Sequence, residues 1–216
     1  MTQSNCNLRG KPAVRWAHSN SPYVVLYLHD HLGPNPAFAA RFSNRFNVLA
    51  PAGGNGWWSH RIEPEFDPTV PPERHVVEFL SDPDLPLRPR AAFGGEAAIR
   101  LGFRHPALLP VVAGWNCAFD FHDLYGQGTS LDAVFESREQ ARQNTAILQV
   151  RPNDFPPRIW FGCPADSVWF RGNDRLHEKL NAVGVSHEFV VVDECPHEAM
   201  AEFLVNGMAK RSRRLL

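Results

Sequence analysis

The sequence predicts an α/β fold with a mostly parallel, doubly wound sheet and helices on both of its faces. Three observations lead there. Short apolar runs alternate along the chain with stretches of helical period. The runs are nearly continuous in aliphatic and aromatic residues, which suits strands covered on both faces. The chain has 216 residues, 44% hydrophobic and 21% charged, enough for one domain with a full core.

In chain order, residues 23–29 (Tyr-Val-Val-Leu-Tyr-Leu-His) read as the first strand. Residues 36–46 place Phe38, Phe42 and Phe46 on one face, as a helix does. Residues 47–50 form a second short strand, closed by Pro51 and the turn-rich Gly53-Gly54-Asn55-Gly56. Pro71-Pro72-Glu73 opens a helix to residue 80, because proline fits a first helical turn. Residues 81–89 are proline-rich and irregular. Residues 95–104 form a helix that His105-Pro106 ends. A strand follows at 109–114. Residues 116–157 are then a long insertion, expected as a lid, with one helix near 137–146. A strand at 158–163, a helix at 173–183, a strand at 187–192 and a helix at 198–208 complete a single domain spanning residues 1–216, with no internal repeat. In such sheets, sites form outside the carboxyl ends of the strands. The loops of interest therefore begin near His29, Pro51, Ala92, Trp115, Cys163 and Asp193.

Composition excludes several functions. With 22 basic and 23 acidic residues the net charge is −1, so no overall field draws in nucleic acid or an anionic membrane. The basic stretch Lys210-Arg211-Ser212-Arg213-Arg214 reads as a solvated helix end. Four cysteines occur, with no CxxC pair and no compact disulfide framework. The first residues lack a basic segment followed by an apolar one, and no apolar run is long enough to span a bilayer. A reducing cytoplasmic compartment is the expectation. No cofactor is expected, and a homo-oligomer is compatible with the sequence.

One segment joins a strand to a helix through a glycine turn: Arg90-Ala91-Ala92-Phe93-Gly94-Gly95-Glu96-Ala97-Ala98. In a nucleophile elbow, G-x-S-x-G-G holds a serine on a strained strand-to-helix turn. Gly94 and Gly95 match its second half, Ala92 falls where the serine belongs, and Arg90 where the first glycine belongs. Asp166 follows the strand at 158–163, and His197 follows the last strand. The order of elbow, Asp and His is that of α/β-hydrolase triads, which makes Asp166 and His197 the candidate acid and base.

Here the chain resembles the esterase-D-like α/β-hydrolases, a family that includes S-formylglutathione hydrolases, acetyl xylan and feruloyl esterases and many bacterial esterases. The likeness rests on Leu26-Tyr27-Leu28-His29-Asp30, Ala50-Pro51-Ala52-Gly53-Gly54-Asn55-Gly56-Trp57-Trp58, Phe93-Gly94-Gly95-Glu96-Ala97-Ala98, Phe103-Arg104-His105-Pro106, the run from Trp169 to Leu180, and Pro196-His197. The resemblance implies an α/β-hydrolase fold, Asp166 as acid, His197 as base and Ala92 at the nucleophile position. It implies one oxyanion-hole N–H from Phe93 and another from the loop after His29. The sequence departs from the family at Ala92, at Asp30 in place of glycine, and at Arg90 and Pro196 in place of glycines. An Asp30 carboxylate pointing inward repels a developing oxyanion.

Without a hydroxyl at residue 92 the usual acyl-enzyme does not form. The expected function is therefore an esterase homologue, non-catalytic or strongly impaired, that acts by binding a ligand or partner. The alternative is an active carboxylic-ester hydrolase in which His197 activates water or a non-standard nucleophile serves. A third reading is a subunit that pairs with an active homologue. Cys117 follows a strand near the site but lacks an elbow, and reads as a structural thiol. His29-Asp30-His31 permits a metal site, though loop histidines in contact with solvent are the commoner case. Trp57 and Trp58 suit either stacking on a sugar or aryl ring or packing under a lid. His122 and Tyr125-Gly126-Gln127-Gly128, in the expected lid, have no assignable role. The expected ligand is a small ester or carbohydrate-like molecule.

Overall fold

The computed structural model describes residues 2–18, 20–30, 33, 35–54, 57–84 and 89–212. The chain opens with a hairpin of β1 (Thr2–Leu8) and β2 (Lys11–Ala17), paired antiparallel from Thr2↔Ala17 to Leu8↔Lys11. Its two-residue turn, Arg9-Gly10, has φ of 50° and 88°. Two positive φ values give the turn whose twist matches the flanking strands. This hairpin is absent from the elements predicted above. β1 is polar and exposed except at Cys6 and Leu8, so neither an apolar run nor an alternation marks it. It is held by ladder bonds to β2, which itself lies antiparallel to β4 (Asn47–Pro51).

The remaining strands are parallel. They are β3 (Val24–Leu28), β4, β5 (Ala91–Gly94), β6 (Val111–Trp115), β7 (Arg158–Cys163) and β8 (Glu188–Val191), and the full order is β1-β2-β4-β3-β5-β6-β7-β8. Helices α1 (Pro36–Phe42), α2 (Pro72–Ser81) and α3 (Glu96–Arg104) connect the first of them. The segment expected as a lid with one helix holds four short ones: α4 (Phe121–Leu124), α5 (Leu131–Val134), α6 (Arg138–Gln143) and α7 (Ala146–Gln149). Gly126 and Gly128 take positive φ, and the side chains of Asp120 and Ser137 cap new helices, so no single helix can run through. Last come α8 (Phe170–Ala182) and α9 (His197–Ser212). This is the α/β-hydrolase fold.

The sheet is covered on both faces, as the apolar runs require. One cluster joins Leu26, Leu28 and Ala92 to α2, α3 and α8 through Phe79, Phe103 and Leu176. The other joins Val25, Tyr27 and Phe93 to α1 and α9 through Phe42 and Leu204. Each fully buried large apolar side chain contributes about 1.5–3 kcal/mol. Among the described residues no helix is long and apolar enough to cross a membrane.

Helix α3, next to the strand ends, is buried along nearly its whole length and carries a buried cation. Arg100 is fully enclosed and lies over Glu96, one turn earlier, with Nε 3.1 Å from a carboxylate oxygen. Its Nη2 donates to the carbonyls of Trp57 (2.5 Å) and Trp58 (3.1 Å). Glu73 of α2 faces it at 3.6 Å and also receives Arg104 and His105, each at 2.9 Å. A buried charge survives only with such partners. The network ties the Trp57-Trp58 loop to the helix that follows the elbow.

Candidate functional site at the strand ends

The turn between β5 and α3 is made at Gly94, whose φ is +123°. A Cβ there would stand 2.5 Å from the Leu28 carbonyl oxygen and 2.8 Å from the Tyr27 ring, so only glycine fits. The next N–H, that of Gly95, donates to Leu28 O at 2.9 Å. Asp30 packs against Gly95, its Cα 3.0 Å from where a Cβ would be. Thus the turn carries no side chain, and the N–H that follows it already has an acceptor.

Ala92, expected on the turn, lies two residues before it. It pairs in register with Leu26 and Val112, is fully buried, and points into the α3 face of the core. The reason is local. Gly94 is the residue able to take the positive φ, so the strand continues through Phe93 to reach it. Phe93, the expected oxyanion donor, stays in the ladder between Tyr27 and Ala113. Its ring packs 4.5 Å from Phe42 and 5.2 Å from Tyr27, centroid to centroid.

His29 is buried, with both ring nitrogens engaged. Nδ1 donates to Asp30 O (2.9 Å), and Nε2 accepts from Gly53 N–H (3.1 Å). Burial holds this imidazole below its ordinary value, so it is neutral. Its carbonyl receives the Trp58 indole N–H at 3.0 Å. Trp58 is enclosed against Gly53, and Trp57 donates to Ser130 Oγ (2.8 Å) with its ring edge-on to Phe121. Both indoles are buried, so they serve as packing and offer no stacking face. The His29-Asp30-His31 metal reading finds His29 committed, and His31 lies outside the described residues. Among the described residues Asp120, His122 and Asp123 do cluster, but Arg175 pairs with Asp120, and Arg171 with Asp123 at 3.2 Å. Tyr125-Gly126-Gln127-Gly128, after α4, is a turn tied down by Asp132, which accepts from the Gly126 and Gly128 N–H groups.

A cavity of about 220 Å³ opens over the turn. Its floor is Gly94-Gly95 and Ala118, and Asp30, Asn35 and Asn116 are its polar walls. Tyr27, Phe38, Trp115 and Trp169 supply rings. Among the described residues, no serine, threonine, cysteine, histidine, lysine or arginine lines it. Burial pushes the Tyr27 hydroxyl up to about 12, so it is a neutral phenol. Asn35 caps α1, accepting from Phe38 N–H at 2.9 Å. Asn116 has φ +51° and accepts from Ser167 Oγ at 2.5 Å, and Ser167 Oγ in turn accepts from Trp169 N–H at 3.1 Å. Sequence reasoning missed Asn35, Asn116 and Trp169 as cavity residues. Asn116 directly follows β6, whereas Asn35 and Trp169 stand at the starts of α1 and α8, six or seven residues past their strands.

The expected acid and base are not brought together. Asp166 is exposed and, among the described residues, makes no side-chain hydrogen bond or ion pair. His197 begins α9 with its ring against Phe38 (5.3 Å) and Phe42 (5.6 Å) of α1. Burial, then Arg41, hold it below its ordinary value, and the carboxylates acting on it are Glu198 and Glu194. It lines a separate open groove with Arg41 and Asn44. Phe38, which touches the His197 ring, also lines the turn cavity, and His197 is not among that cavity's described lining residues. Cys117 lies beneath the turn, its Sγ 3.7 Å from Gly94 O, and burial raises its thiol well above the ordinary value. It is an unreactive structural thiol.

Several solved structures share this fold. A ferulic acid esterase matches with a TM-score of 0.66 and 15% identity, over 95% of this chain and 96% of that one. An S-formylglutathione hydrolase from Agrobacterium tumefaciens matches at 0.64 and 10%, over 100% and 94%. The serine hydrolase FphF of Staphylococcus aureus matches at 0.68 and 10%, over 95% and 96%. At these identities the likeness establishes the fold. No protein-family model and no curated protein sequence matches the chain.

Proposed function

We propose that this α/β-hydrolase-fold chain holds a small polar ligand in the cavity at its strand ends and does not hydrolyse esters through a serine. The observation that carries the reading is the turn itself, with Gly94 at φ +123° and the Gly95 N–H bonded to Leu28 O. Serine chemistry needs a hydroxyl on that turn and a donor beside it, aimed at the developing oxyanion. Here the first has no side chain to carry it and the second is already engaged. The positions of Asp166 and His197 support the same reading. A triad base must reach the reacting atoms, and His197 is not among the described residues that line the cavity over the turn. The four unpaired cysteines suit a reducing, cytoplasmic setting.

The fold shared with a ferulic acid esterase and an S-formylglutathione hydrolase makes ester hydrolysis the activity to test against. The chain and its His197→Ala variant are assayed with p-nitrophenyl acetate and butyrate. Neither is expected to exceed the buffer rate. Saturable turnover by the original chain, lost in His197→Ala, would overturn the reading in favour of water activated by His197 or an unrecognised nucleophile.

A further inference from the structure

We infer that the open edge of the sheet, at β1, pairs antiparallel with β1 of a second copy of this chain, centred on Asn5. This interaction surface is independent of the reading above, because β2, β4 and β3 stand between β1 and the strand that carries Gly94.

Hairpin geometry decides which groups β1 leaves open. A two-residue turn makes Leu8↔Lys11 a hydrogen-bonded pair, and such pairs then recur at every second residue. Asn7 lies opposite Pro12, which has no N–H to give, and so belongs to the alternate, unbonded set. Asn5 and Gln3 belong to that set too. Their N–H and C=O groups, with those of Asn7, point away from β2. Among the described residues β1 has no neighbour on that side, and no other backbone bond takes these groups up. The same three residues are exposed and share one face, while Cys6 and Leu8 turn the other way onto the core.

Open strand edges are commonly guarded by charge, proline, a bulge or shortness. β1 has none of these: its seven residues are uncharged and pair with β2 without interruption. The opposite edge is guarded, since β8 has four residues and is followed by Asp193 and Glu194. What fits the open edge is β1 itself. In a two-fold pairing about Asn5, that residue meets its own copy and Gln3 meets Asn7, so each outward N–H faces an outward C=O. The side chains meet as amide against amide, each able to donate and accept. The Gly10 N–H donates to Asn7 Oδ1 at 2.6 Å, which leaves the Asn7 amino group for Gln3. No charge is set against its like: Arg15, on β2 beside Ser4, would lie at least about 14 Å from its copy. An apolar or charged foreign strand would leave the amides unmatched.

The test is sedimentation velocity of the full chain from low micromolar to submillimolar concentration. A reversible dimer, half-formed at about 10–100 μM, is expected. Asn5→Pro spares the ladder to β2, because the N–H it removes points outward. It takes one donor from each copy and should weaken the dimer about 10–30-fold, with the circular dichroism spectrum unchanged. Asn5→Lys should weaken it too, through like charges, and mixing that variant with Asn5→Glu should restore association. Val192→Lys, beyond β8, should leave the dimer intact. Register is read by oxidative cross-linking in a Cys6→Ser background. Asn5→Cys should form a disulfide dimer, because bonded pairs stand about 5.5 Å apart at Cα, within disulfide range. Gln3→Cys should cross-link only when mixed with Asn7→Cys. A chain that stays monomeric leaves the edge to a strand of another protein and overturns the inference. So does a dimer that survives Asn5→Pro and Asn5→Lys, or one that Asn5→Cys does not cross-link. If Asn5→Pro unfolds the hairpin, the Asn5→Lys and Asn5→Glu mixture decides, and its failure to associate overturns the inference.

Discussion

Restoring a serine where the sequence pattern asks for one should not restore a hydrolase. Ala92→Ser puts a hydroxyl in mid-strand, between Leu26 and Val112 in an apolar cluster, two residues from the turn. A buried hydroxyl without a good partner costs about 1–3 kcal/mol. For a chain of this length that is roughly 2–12 °C in melting temperature. Gly94→Ser does put the hydroxyl on the turn, but its Cβ meets the Leu28 carbonyl at 2.5 Å on a backbone at φ +123°. Backbone strain and a clash with a main-chain oxygen together cost at least about 3 kcal/mol. Both variants are measured by differential scanning fluorimetry and by p-nitrophenyl acetate hydrolysis. The expected result is a modest loss of stability for Ala92→Ser, a larger one for Gly94→Ser, and no gain of turnover in either. If Ala92→Ser gains saturable hydrolysis that His197→Ala abolishes, the turn lies at residue 92 after all, and the argument from Gly94 fails.

Three other outcomes follow from the same contacts. Arg100→Leu leaves Glu96 buried without its cation and removes one of the basic partners of Glu73, which keeps Arg104 and His105, and should lower unfolding free energy by about 3–5 kcal/mol in urea titration; a loss under about 1 kcal/mol would mean the network is solvated. Trp58→Phe removes the indole bond to His29 O and should cost about 1–2 kcal/mol without altering the neutral state of His29, read from its NMR titration. Stability should also fall on acidification. Burial lowers His29, His60, His75, His187 and His197 below 6.5, so between 6.5 and those lowered values the unfolded chain binds more protons than the folded one. That stability is present above 6.5 and is lost as pH drops through the folded values. Glu63 and Glu96, raised above 4.5 by burial, act in the opposite sense, contributing stability below 4.5 that is lost as pH rises through their raised values. With five imidazoles against two carboxyls, the melting temperature should decline from pH 7.5 to 5.5. A flat or rising profile would contradict this balance.

The parallel sheet was legible because its strands are buried on both faces and therefore apolar throughout: Val24–Leu28 and Arg158–Cys163 announce themselves. The β1–β2 hairpin was not, because its order comes from ladder bonds and a turn at Arg9-Gly10 rather than from burial. Residues 120–149 break into short helices through caps and glycines whose effect is clear only once their partners are known. At the site, the loops were found but the register was not. The motif aligns Ala92 with a serine, while the backbone turns where glycine permits it, at Gly94. The buried Arg100 was also hidden, since an i,i+4 Glu–Arg pair in sequence is usually a solvent-exposed one. Phe38, which lines the turn cavity and touches the His197 ring, read simply as one ring of an apolar helix face.

The proposal that no nucleophile works at the strand ends is tested most directly by intact-mass spectrometry after incubation with a fluorophosphonate, which adds covalently to an activated serine. The account predicts that the chain keeps its unmodified mass, at pH 7 and pH 9 alike, with a serine esterase labelled in the same tube. A stoichiometric adduct, mapped by peptide sequencing to one hydroxyl or thiol near Gly94, would contradict it and identify the nucleophile.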